Sequence, residues 1–514
     1  MGEFRASLLT AGIFISAGLN AYSSLPQLRW LPLVFIILAI LNNRYGYGLI
    51  RFPGPFWATT THWWRLREWY ANGNKRPSML QLHAKYGSIV RLGPSSLSFA
   101  SPYAIDAIYG PKANMAKTGF YTSFEAHGKG ERKANIFSTR DIHWHARYRD
   151  LVKHSFSIDH IGHKEGEIDN LIYIMLRKLD DQLGDAIDLP MAIQYFTFDA
   201  GGVFSFSHSF GFLQKWGDID GQIASTRSGT THLSRLSQVP FFQWLVDQNP
   251  MAKYFGFITP PMAFSKKHMP WKLVERELDA PLRKPERHDI LDGYVKAYKT
   301  DPGVVGREEV VDLALMTVVP NSEAIRTAIC VLFFNLARRR DMLTKVEAEL
   351  DDAFPDKNAI PAWNIASKLP ILDACIKETF RIHPSTGFLL ERIVPAGGAV
   401  ICGEYVPAGT AVSCLQWIIH RHKPTFGDDV ETFRPERWLD AAPEQRANME
   451  KFLVPFGYGS RLCLGRDIGL FEVYKIAATV LNRYRVHLET PEQEMKYTWG
   501  NIVNVDYTAR LERR

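Results

Sequence analysis

Helical periodicity runs through most of this chain. Apolar residues recur at helical spacing from Trp144 to Leu350, and the longest such segment is Glu308 to Leu350. A further helix is predicted over Pro370 to Ile382, because a proline in the first turn removes no helical hydrogen bond. Another apolar helical stretch covers Ile468 to Val480. The pattern predicts a mainly α protein.

Short alternating segments predict a small β region beside these helices. Strands are expected at Ser88 to Leu92, at Leu97 to Ala100 and around Val400 to Val412. Met495 to Tyr507 alternates like a hairpin with a Gly-Asn turn. Residues from roughly 111 to 140 are rich in Gly, Lys and Ser, which is typical of a long surface loop.

Two apolar segments occupy the N-terminus. Ala6 to Tyr22 is near the lower length limit for spanning a bilayer, whereas Leu33 to Leu41 is short enough to be interfacial or re-entrant. A cleaved signal peptide is the alternative, but no clear small-residue cleavage site follows. Arg29, Arg44 and Arg51 come after the first segment, so the positive-inside rule predicts that the body faces the cytosol. We expect a membrane protein, located in the endoplasmic reticulum.

The run from Arg51 to Pro55 predicts a stiff, extended break in the chain. It separates an anchor and hinge, residues 1–50, from the body, residues 51–514. The body contains no low-complexity linker, charge block or internal repeat. We therefore expect one large domain behind an N-terminal membrane anchor.

Composition narrows the class of protein further. Of 514 residues, 46% are hydrophobic and 22% are charged, as in globular proteins with a large core. Five cysteines without a Cys-x-x-Cys pair argue against a disulfide framework and favour a reducing compartment. A net charge of +7 is modest for this length, so we expect no nucleic-acid binding.

One loop indicates the chemistry of the chain. Cys463 lies in a segment interrupted by Gly457, Gly459 and Gly465. A metal-ligating thiolate needs open space and backbone N–H groups, and glycine permits that close approach. The helix predicted after the loop would place Cys463 near a helix N-terminus, where the dipole lowers the pKa of a thiol. A buried structural cysteine is the alternative, but it would not require the surrounding glycines.

This loop resembles the haem-binding loop of the cytochrome P-450 family, Phe-x-x-Gly-x-Arg-x-Cys-x-Gly. Its fixed positions are filled by Phe456, Gly459, Arg461, Cys463 and Gly465. The resemblance extends from about residue 52 to the C-terminus. It implies the cytochrome P-450 fold, with haem b bound through the Cys463 thiolate, which favours O–O cleavage.

Other segments resemble the same family. Glu378 and Arg381 form its Glu-x-x-Arg helix, and Arg437 lies in its Pro-Glu-Arg segment. The resemblance implies that these three residues form a buried structural cluster that fixes the loop around Cys463. The alternative for Glu378 and Arg381 is a solvated ion pair of little energetic value.

The resemblance also implies partners for the two haem propionates. His145 and Arg149 lie four residues apart on a predicted helix, where the family has Trp-x-x-x-Arg, so a histidine replaces the tryptophan. Arg392 and Arg461 match two further propionate positions, and arginine suits bidentate carboxylate binding. The alternative for each arginine is a surface charge.

The longest helix departs from the family pattern. Where the family has Ala/Gly-Gly-x-Asp/Glu-Thr-Thr above the iron, this chain has a proline, Pro320, followed by Asn321, Ser322 and Glu323. Ala324 then replaces the first hydroxyl that usually assists proton delivery. Glu323, Ser322 and Asn321 are therefore the candidate catalytic residues. The alternative is that Pro320 only bends the helix.

Substrate contacts are expected at Phe388, Leu389, Trp499 and Phe120, which match substrate-facing segments of the family and are apolar or aromatic. Ordinary core packing is the alternative. The run of His and basic residues at 420–423 predicts a basic surface. With Arg147, Lys153 and Arg466, this surface would attract an acidic electron donor.

The resemblance implies a haem-thiolate monooxygenase that oxidises a lipophilic small molecule. It would use O₂ and NADPH-derived electrons supplied by NADPH-cytochrome P-450 reductase. The chain looks like membrane-anchored fungal enzymes of specialised metabolism. Two alternatives remain open: a rearrangement, dehydration, desaturation or radical coupling without net oxygenation, and a haem-binding sensor without turnover.

Overall fold

The computed structural model describes residues 30–71, 78–128, 131–239, 271–281, 287–490, 492–498 and 502–514. Within these ranges the protein is mainly helical with small β-sheets, which confirms the predicted fold class. The apolar segment Ala6 to Tyr22, the predicted substrate residue Trp499 and the turn of the last hairpin lie outside the described residues.

Thirteen α-helices are described up to residue 300. In chain order they are α1 (Leu31–Tyr45), α2 (Phe56–Thr60), α3 (Trp63–Ala71), α4 (Ser78–Tyr86), α5 (Ala104–Tyr109), α6 (Ile142–Val152), α7 (Ile158–Ile161), α8 (Glu165–Asp180), α9 (Leu189–Phe206), α10 (Phe212–Lys215), α11 (Gln222–Leu236), α12 (Trp271–Asp279) and α13 (Ile290–Thr300). Sequence-coded caps define several of these helices. The Asp141 carboxylate, for example, accepts the N–H groups of His143 and Trp144 at the start of α6.

The later helices include the long central helix. They are α14 (Arg307–Arg338), α15 (Arg340–Ala353), α16 (Trp363–Ala366), α17 (Pro370–Ile382), α18 (Gln416–Ile419), α19 (Lys423–Phe426), α20 (Glu436–Leu439), α21 (Pro443–Phe452) and α22 (Arg466–Arg483). The predicted helix from Glu308 to Leu350 is thus divided, because Arg339 leaves helical geometry. By contrast, α14 continues through Pro320 without interruption.

The strands form one five-stranded sheet and several two-stranded ribbons. They are β1 (Ile89–Gly93), β2 (Ser96–Phe99), β3 (Ala116–Lys117), β4 (Ala126–Gly128), β5 (Glu131–Lys133), β6 (Arg392–Ile393), β7 (Ala399–Ile401), β8 (Glu404–Val406), β9 (Ala411–Cys414), β10 (Tyr484–Leu488), β11 (Lys496–Thr498), β12 (Asn504–Asp506) and β13 (Ala509–Arg513). The five-stranded order is β1-β2-β9-β6-β3, with only β2 and β9 parallel. The ribbons are β4-β5, β7-β8, β10-β13 and β11-β12.

The largest core surrounds α14. Helix α9 packs along α14, and α22 and α17 pack against it from other sides. By length and composition the segment Thr317–Arg338 of α14 could cross a membrane, but 72% of its most apolar window is buried inside the protein. It is therefore the central helix of the fold, and α14 carries the candidate catalytic residues Asn321, Ser322 and Glu323.

One sequence prediction about the loops is wrong. Residues 111–140 are not simply a surface loop, because they contain β3, β4, β5 and a 3₁₀-helix at Gly119–Phe124. Phe120 and Tyr121 of this segment are buried at 3% and 1% exposure. Their aromatic side chains pack into a small core with Phe388, which the polar composition of the segment concealed.

Candidate active site

The loop before α22 has a backbone that requires glycine. Gly457 and Gly459 adopt φ values of 77° and 66°, in the left-handed region that favours glycine. A Cβ atom on Gly459 would lie 2.0 Å from the Tyr109 carbonyl oxygen. The Cys463 N–H donates to the Phe456 carbonyl (2.8 Å) and closes the loop. The glycines therefore set the path that presents Cys463.

The Cys463 side chain has accessible surface although protein surrounds it. Burial raises the pKa of its thiol above the ordinary value, and this outweighs the opposing effects of the Gly465 N–H, Arg149 and Arg466. The expected lowering of the thiol pKa is therefore wrong for the protein alone. Helix α22 begins only at Arg466, so its dipole does not outweigh desolvation.

Two residues of the predicted haem site, Phe456 and Arg149, help to fix the position of this sulfur. The Phe456 ring packs against the ring of Phe380 (5.4 Å between centroids) and lies near Gly469 of α22. Arg149, on α6, donates from Nη1 to the Leu462 carbonyl (2.7 Å). Arg149 was expected at a propionate, but the partner that the structure gives it is the backbone beside Cys463.

A group of cationic side chains converges next to this loop. Burial and the nearby cations Arg461, Lys117, Arg149 and Arg392 lower the pKa of His145 to about 3. Burial, then Arg392, lowers the pKa of Arg461 to about 10. The Nη1 atom of Arg461 is buried and has no hydrogen-bond partner among the described residues. Like charges gathered in this way indicate a site for an anionic group.

Lys117 belongs to this cationic group and was missed by the sequence prediction. It lies directly opposite Arg392 in the β3–β6 pair, and both side chains are buried. Burial, then Arg392 and Arg461, hold the pKa of Lys117 well below its ordinary value. Opposed like charges destabilise a strand pair unless an anion lies between them. The register of β3 and β6 could not be deduced from the sequence, so nothing in the sequence indicated that Lys117 belongs to this site.

These side chains fit a haem. A thiol sulfur faces open space at one point of the loop. Beside it lie the buried Lys117 and Arg392 and the half-buried Arg461, which form no ion pair with a carboxylate among the described residues. The two propionates of a haem are the kind of anion that this cluster requires, since a buried cation is costly unless it is paired.

Glu378, Arg381 and Arg437 come together as predicted from the sequence. Arg381 donates from Nε and Nη2 to the two carboxylate oxygens of Glu378, both at 2.8 Å. Arg437 Nε donates to the same two oxygens at 3.0 and 3.1 Å. The Trp438 indole N–H donates to Glu378 Oε2 at 2.9 Å. All four side chains are buried. The carboxylate is thus fully enclosed by donors.

Hydrogen bonds connect this cluster to the loop around Cys463. Arg381 donates from Nη1 to the His420 carbonyl (3.1 Å). The His420 ring accepts the N–H of Val454 at Nε2 (3.0 Å), two residues before the loop begins. Burial, then Arg381 and Arg421, lower the pKa of His420 to about 3, so its ring is neutral and can accept.

The basic surface predicted at residues 420–423 is wrong for His420 and Arg421, whereas Lys423 is exposed. His420 is fully buried and Arg421 is buried at 8% exposure, because both support the backbone inside the fold. Arg421 donates from Nη2 to the Ile382 carbonyl (2.9 Å) at the end of α17. A run of basic residues in the sequence does not show which side chains point inward.

The three candidate catalytic residues of α14 point in different directions. Pro320 is exposed and Ala324, one turn later, is half-buried, so these two mark the open face of the helix. Asn321 instead donates to a Glu472 carboxylate oxygen on α22 (2.8 Å). Ser322 is fully buried and donates to the Val319 carbonyl (2.9 Å).

Glu323 lies on yet another side of α14. It is buried, and burial raises the pKa of its carboxyl to about 7 against the opposing effects of Arg227, Arg326 and Thr230. One of its carboxylate oxygens, Oε1, has no partner among the described residues. Its catalytic role stays a prediction.

A hydroxyl from another segment lies beside Ala324. Ser385, three residues after α17, donates from Oγ to the Ala324 carbonyl (3.1 Å), and both residues are half-buried. The backbone of Ser385 is fixed by the Val503 N–H, which donates to its carbonyl (2.8 Å). The sequence prediction missed Ser385 because no local pattern indicates that it contacts α14.

The predicted substrate residues lie in two places. Phe120 and Phe388 stack at 5.3 Å between ring centroids within one aromatic cluster. Leu389 packs in a separate core with Val90 and Trp417. All three predicted residues are buried at 7% exposure or less. Their role as substrate contacts stays a prediction.

Comparison with known proteins identifies the family. The sequence model of the family described as cytochrome P-450 matches residues 53–513. The chain belongs to the cytochrome P-450 family. Members of this family are haem-thiolate oxidoreductases whose iron is bound by a cysteine thiolate, so this cytochrome P-450 is an enzyme with a haem cofactor.

Similar proteins are cytochrome P-450 monooxygenases of fungi. One from Aspergillus flavus is 30% identical over 94% of this chain and 96% of its own length. One from Aspergillus terreus is 30% identical over 89% of this chain and 94% of its own length. One from Penicillium brevicompactum is 29% identical over 91% of this chain, but this cytochrome P-450 spans only 56% of that relative's length.

Proposed function

We propose that this cytochrome P-450 inserts one atom of O₂ into a lipophilic small molecule in the biosynthesis of a specialised metabolite. The observation that carries the proposal is the loop that presents Cys463 beside Lys117, Arg392 and Arg461, three cations that form no ion pair with a carboxylate among the described residues. The fungal monooxygenases similar to this chain favour oxygenation over a rearrangement or a sensor without turnover.

Named residues would hold haem b at this site. Cys463 would ligate the iron, with Phe456 and Gly465 shaping the loop around the sulfur. Arg461, Arg392, His145 and Lys117 would hold the propionates, while Arg149 fixes the loop through Leu462. When bound, the haem supplies O₂ activation, and the thiolate favours O–O cleavage.

Ser385 would replace the hydroxyl that α14 lacks at Ala324. Its Oγ–H lies at the Ala324 carbonyl, on the open face that also includes Pro320. From there it can exchange hydrogen bonds with water and pass a proton into the site. General acid–base assistance of this kind is typically worth roughly two to four orders of magnitude in rate.

Ser385→Ala should lower the product formed per NADPH by about tenfold or more and raise hydrogen peroxide correspondingly, because the hydroxyl is lost. Ala324→Thr alone should give no improvement, but in the Ser385→Ala background it should restore coupling. The carbon monoxide spectrum of each variant checks that the site is intact. Unchanged coupling in Ser385→Ala, or no rescue by Ala324→Thr, would refute the assignment.

Glu323, on a different side of α14 from Ser385, is the second proposed proton source. A carboxyl with a pKa of about 7 is protonated below that pH and loses its proton as the pH rises, so product formation should fall above pH 7. Glu323→Gln should cut product formation strongly and remove this limb of the pH profile. If product formation by Glu323→Gln still fell above pH 7 as in the wild type, Glu323 would have only a structural role.

NADPH-cytochrome P-450 reductase is the proposed electron donor. Arg147, Lys153 and Arg466 are exposed near the loop, since α6 contacts it through Arg149 and α22 follows it directly. Each of these three exposed cations forms an ion pair with a nearby aspartate, and pairs with an exposed cation are weak enough to exchange for an acidic partner.

We also propose that the protein is anchored in the endoplasmic reticulum membrane with its catalytic domain in the cytosol. The support is α1, which covers the predicted apolar segment Leu33 to Leu41 and buries none of its residues. The boundary between an anchor of residues 1–50 and a domain of residues 51–514 is part of this proposal.

A metabolite library tests the function directly. Full-length enzyme, reductase and NADPH are incubated with the library under ¹⁸O₂, and products are detected by mass spectrometry. The proposal predicts an NADPH-dependent product that carries one ¹⁸O atom. A product formed without NADPH, or without ¹⁸O, would favour the alternative without net oxygenation, and spectral binding without any product would favour a sensor.

A further inference from the structure

The residues that lead into β12 lie beside the open face of α14. Ile502 forms an isolated bridge with Thr386, and the Val503 N–H donates to the Ser385 carbonyl (2.8 Å). Ser385 in turn donates to the Ala324 carbonyl on the open face. Because β12 begins at the next residue, the position of this segment depends on what holds β12 in place.

Arg326 of α14 holds every residue of β12. Its side chain is fully buried, and it donates from Nη1 to Asn504 Oδ1 (3.1 Å) and from Nη2 to the Val505 carbonyl (2.9 Å). The same Nη2 atom also donates to the Asp506 carboxylate. The guanidinium is planar and its donors form a rigid fork, so these hydrogen bonds fix the direction of the strand as well as its distance from α14.

The guanidinium of Arg326 is itself fixed from the other side. Its Nε atom donates to the Pro190 carbonyl (2.9 Å) in the first turn of α9, the helix that packs along α14. A buried ion pair is weak evidence for stability, because apolar side chains of similar volume are often as stable. Its fixed geometry can instead specify one arrangement of the groups that it joins. We therefore examine Arg326 for its effect on the position of β12.

Asp506 also serves a second arginine. Nη1 of Arg227, on α11, lies 3.6 Å from the Asp506 oxygen that Arg326 contacts. Burial, then Arg326, lowers the pKa of Arg227 below its ordinary value, as expected where two guanidinium groups share one carboxylate. A change at Asp506 would therefore disturb two cations. Asn504 is the neutral, buried partner of Arg326 and offers a more selective change.

We propose that Arg326 is a positioning residue of the active site, which sets the place of Ile502 and Val503 beside the open face of α14 through its hydrogen bonds to Asn504 and Val505. The half-buried Ile502 would contact the part of a lipophilic substrate that lies over this face. Arg326 is fully buried and acts only through β12. This inference rests on the haem site of the proposed function, and it adds a residue that determines which ring-shaped groups fit there.

Two azoles test the shape of this region without the natural substrate. Imidazole and 4-phenylimidazole both bind haem iron through a ring nitrogen and shift the Soret band, since imidazole nitrogen is a suitable ligand for iron. The phenyl ring of the second azole reaches side chains around the iron, whereas imidazole alone does not. Full-length holoenzyme is titrated with each azole. The ratio of the two dissociation constants reports the contacts of the phenyl ring.

Asn504→Leu removes the acceptor for Arg326 Nη1 and keeps a side chain of similar volume. It should weaken the binding of 4-phenylimidazole at least fivefold and leave that of imidazole within twofold, because Ile502 loses its fixed position. Asn504→Asp keeps an oxygen acceptor and should bind both azoles as the wild type does. Arg326→Met removes all the contacts to β12 and should weaken 4-phenylimidazole at least as much as Asn504→Leu.

Tyr507→Phe is the matched control. The Tyr507 hydroxyl donates to the Cys330 carbonyl (2.9 Å), one turn after Arg326 on α14, so this variant also removes one hydrogen bond between α14 and the end of the chain. Tyr507 follows β12 and is farther along the chain from Val503 than Asn504 is. Tyr507→Phe should therefore keep the wild-type ratio of dissociation constants, whatever its effect on the midpoint of urea unfolding.

The carbon monoxide spectrum separates the two ways in which this inference can fail. Wild-type enzyme without the red-shifted Soret band has no thiolate-ligated haem, which overturns the proposed site and the role of Arg326 with it. A normal spectrum with an unchanged azole ratio in Asn504→Leu overturns the role of Arg326 alone, and so does an equal change of the ratio in Tyr507→Phe or Asn504→Asp. If Arg326→Met does not fold, the two Asn504 variants decide between these outcomes.

Discussion

Cys463→Ala is expected to abolish product formation and the spectrum of a thiolate-ligated haem. No other described cysteine can replace the lost sulfur, because Cys330, Cys375 and Cys414 are buried elsewhere and Cys402 lies in the turn of the β7–β8 hairpin. The cationic cluster around Arg461 would still attract the propionates, so some haem should remain bound with an altered spectrum. Haem content and turnover are measured on the same preparation.

Cys402→Ser is the matched control for this variant. It removes the other exposed cysteine and should leave haem content, spectrum and turnover unchanged. A Cys463→Ala enzyme that kept the wild-type spectrum would show that another residue ligates the iron. If Cys402→Ser lost the spectrum instead, the iron ligand would lie outside the loop, at Cys402.

Glu378→Gln is expected to reduce stability and haem incorporation together. The amide would leave Arg381 and Arg437 buried without their counter-charge, and breaking a buried ion pair in this way costs about 3–5 kcal/mol. The free energy of unfolding of a whole domain is only about 5–15 kcal/mol, so this loss would be a large fraction of it. Because His420 and Val454 connect the cluster to the loop, molecules in which the cluster is disrupted should also lose the loop geometry that binds haem, while molecules that keep haem keep the native loop.

The measurements are the midpoint of urea unfolding, the haem content and the turnover per haem. Asp279→Asn is the control, because Asp279 pairs with Arg307 at 2.7 Å on the exposed surface, where a pair is worth at most about 1 kcal/mol. Turnover per bound haem should stay near wild type in Glu378→Gln. Full haem content with lost turnover would contradict the structural role of the cluster.

The loop and the helices that carry it could be predicted because their determinants are local. Five fixed positions within ten residues define the loop, and Pro370 marks the start of α17. The cluster of Glu378 with Arg381 follows from helical spacing, since residues three apart share a face. In each case the sequence alone contains the physical constraint.

Residues brought in from distant segments could not be predicted. Lys117 joins the cationic cluster only through the register of β3 with β6, and Ser385 reaches Ala324 from the segment after α17. His420 was assigned to the surface because its neighbours are basic, yet it is fully buried. The pKa of the Cys463 thiol was expected to fall, but the desolvation that raises it depends on packing that the sequence does not show.

The N-terminal part also combines a feature that the sequence predicts with a contact that it does not. The apolar character of α1 is visible in the sequence, and the helix is observed at Leu31–Tyr45. The contact of Arg91 with the last turn of α1 joins residues almost fifty positions apart and could not be deduced. An anchor and hinge were expected over residues 1–50, and in the structure Arg91 holds the last turn of α1, within that range, to the domain.

In the proposed site, Cys463 presents a thiolate to a haem. The most direct test is the absorption spectrum of the full-length enzyme after reduction and exposure to carbon monoxide. We expect the strongly red-shifted Soret band of a thiolate-ligated haem, and its loss in Cys463→Ala. A Soret band without that red shift in the folded wild-type enzyme, or an unchanged band in Cys463→Ala, would contradict the account.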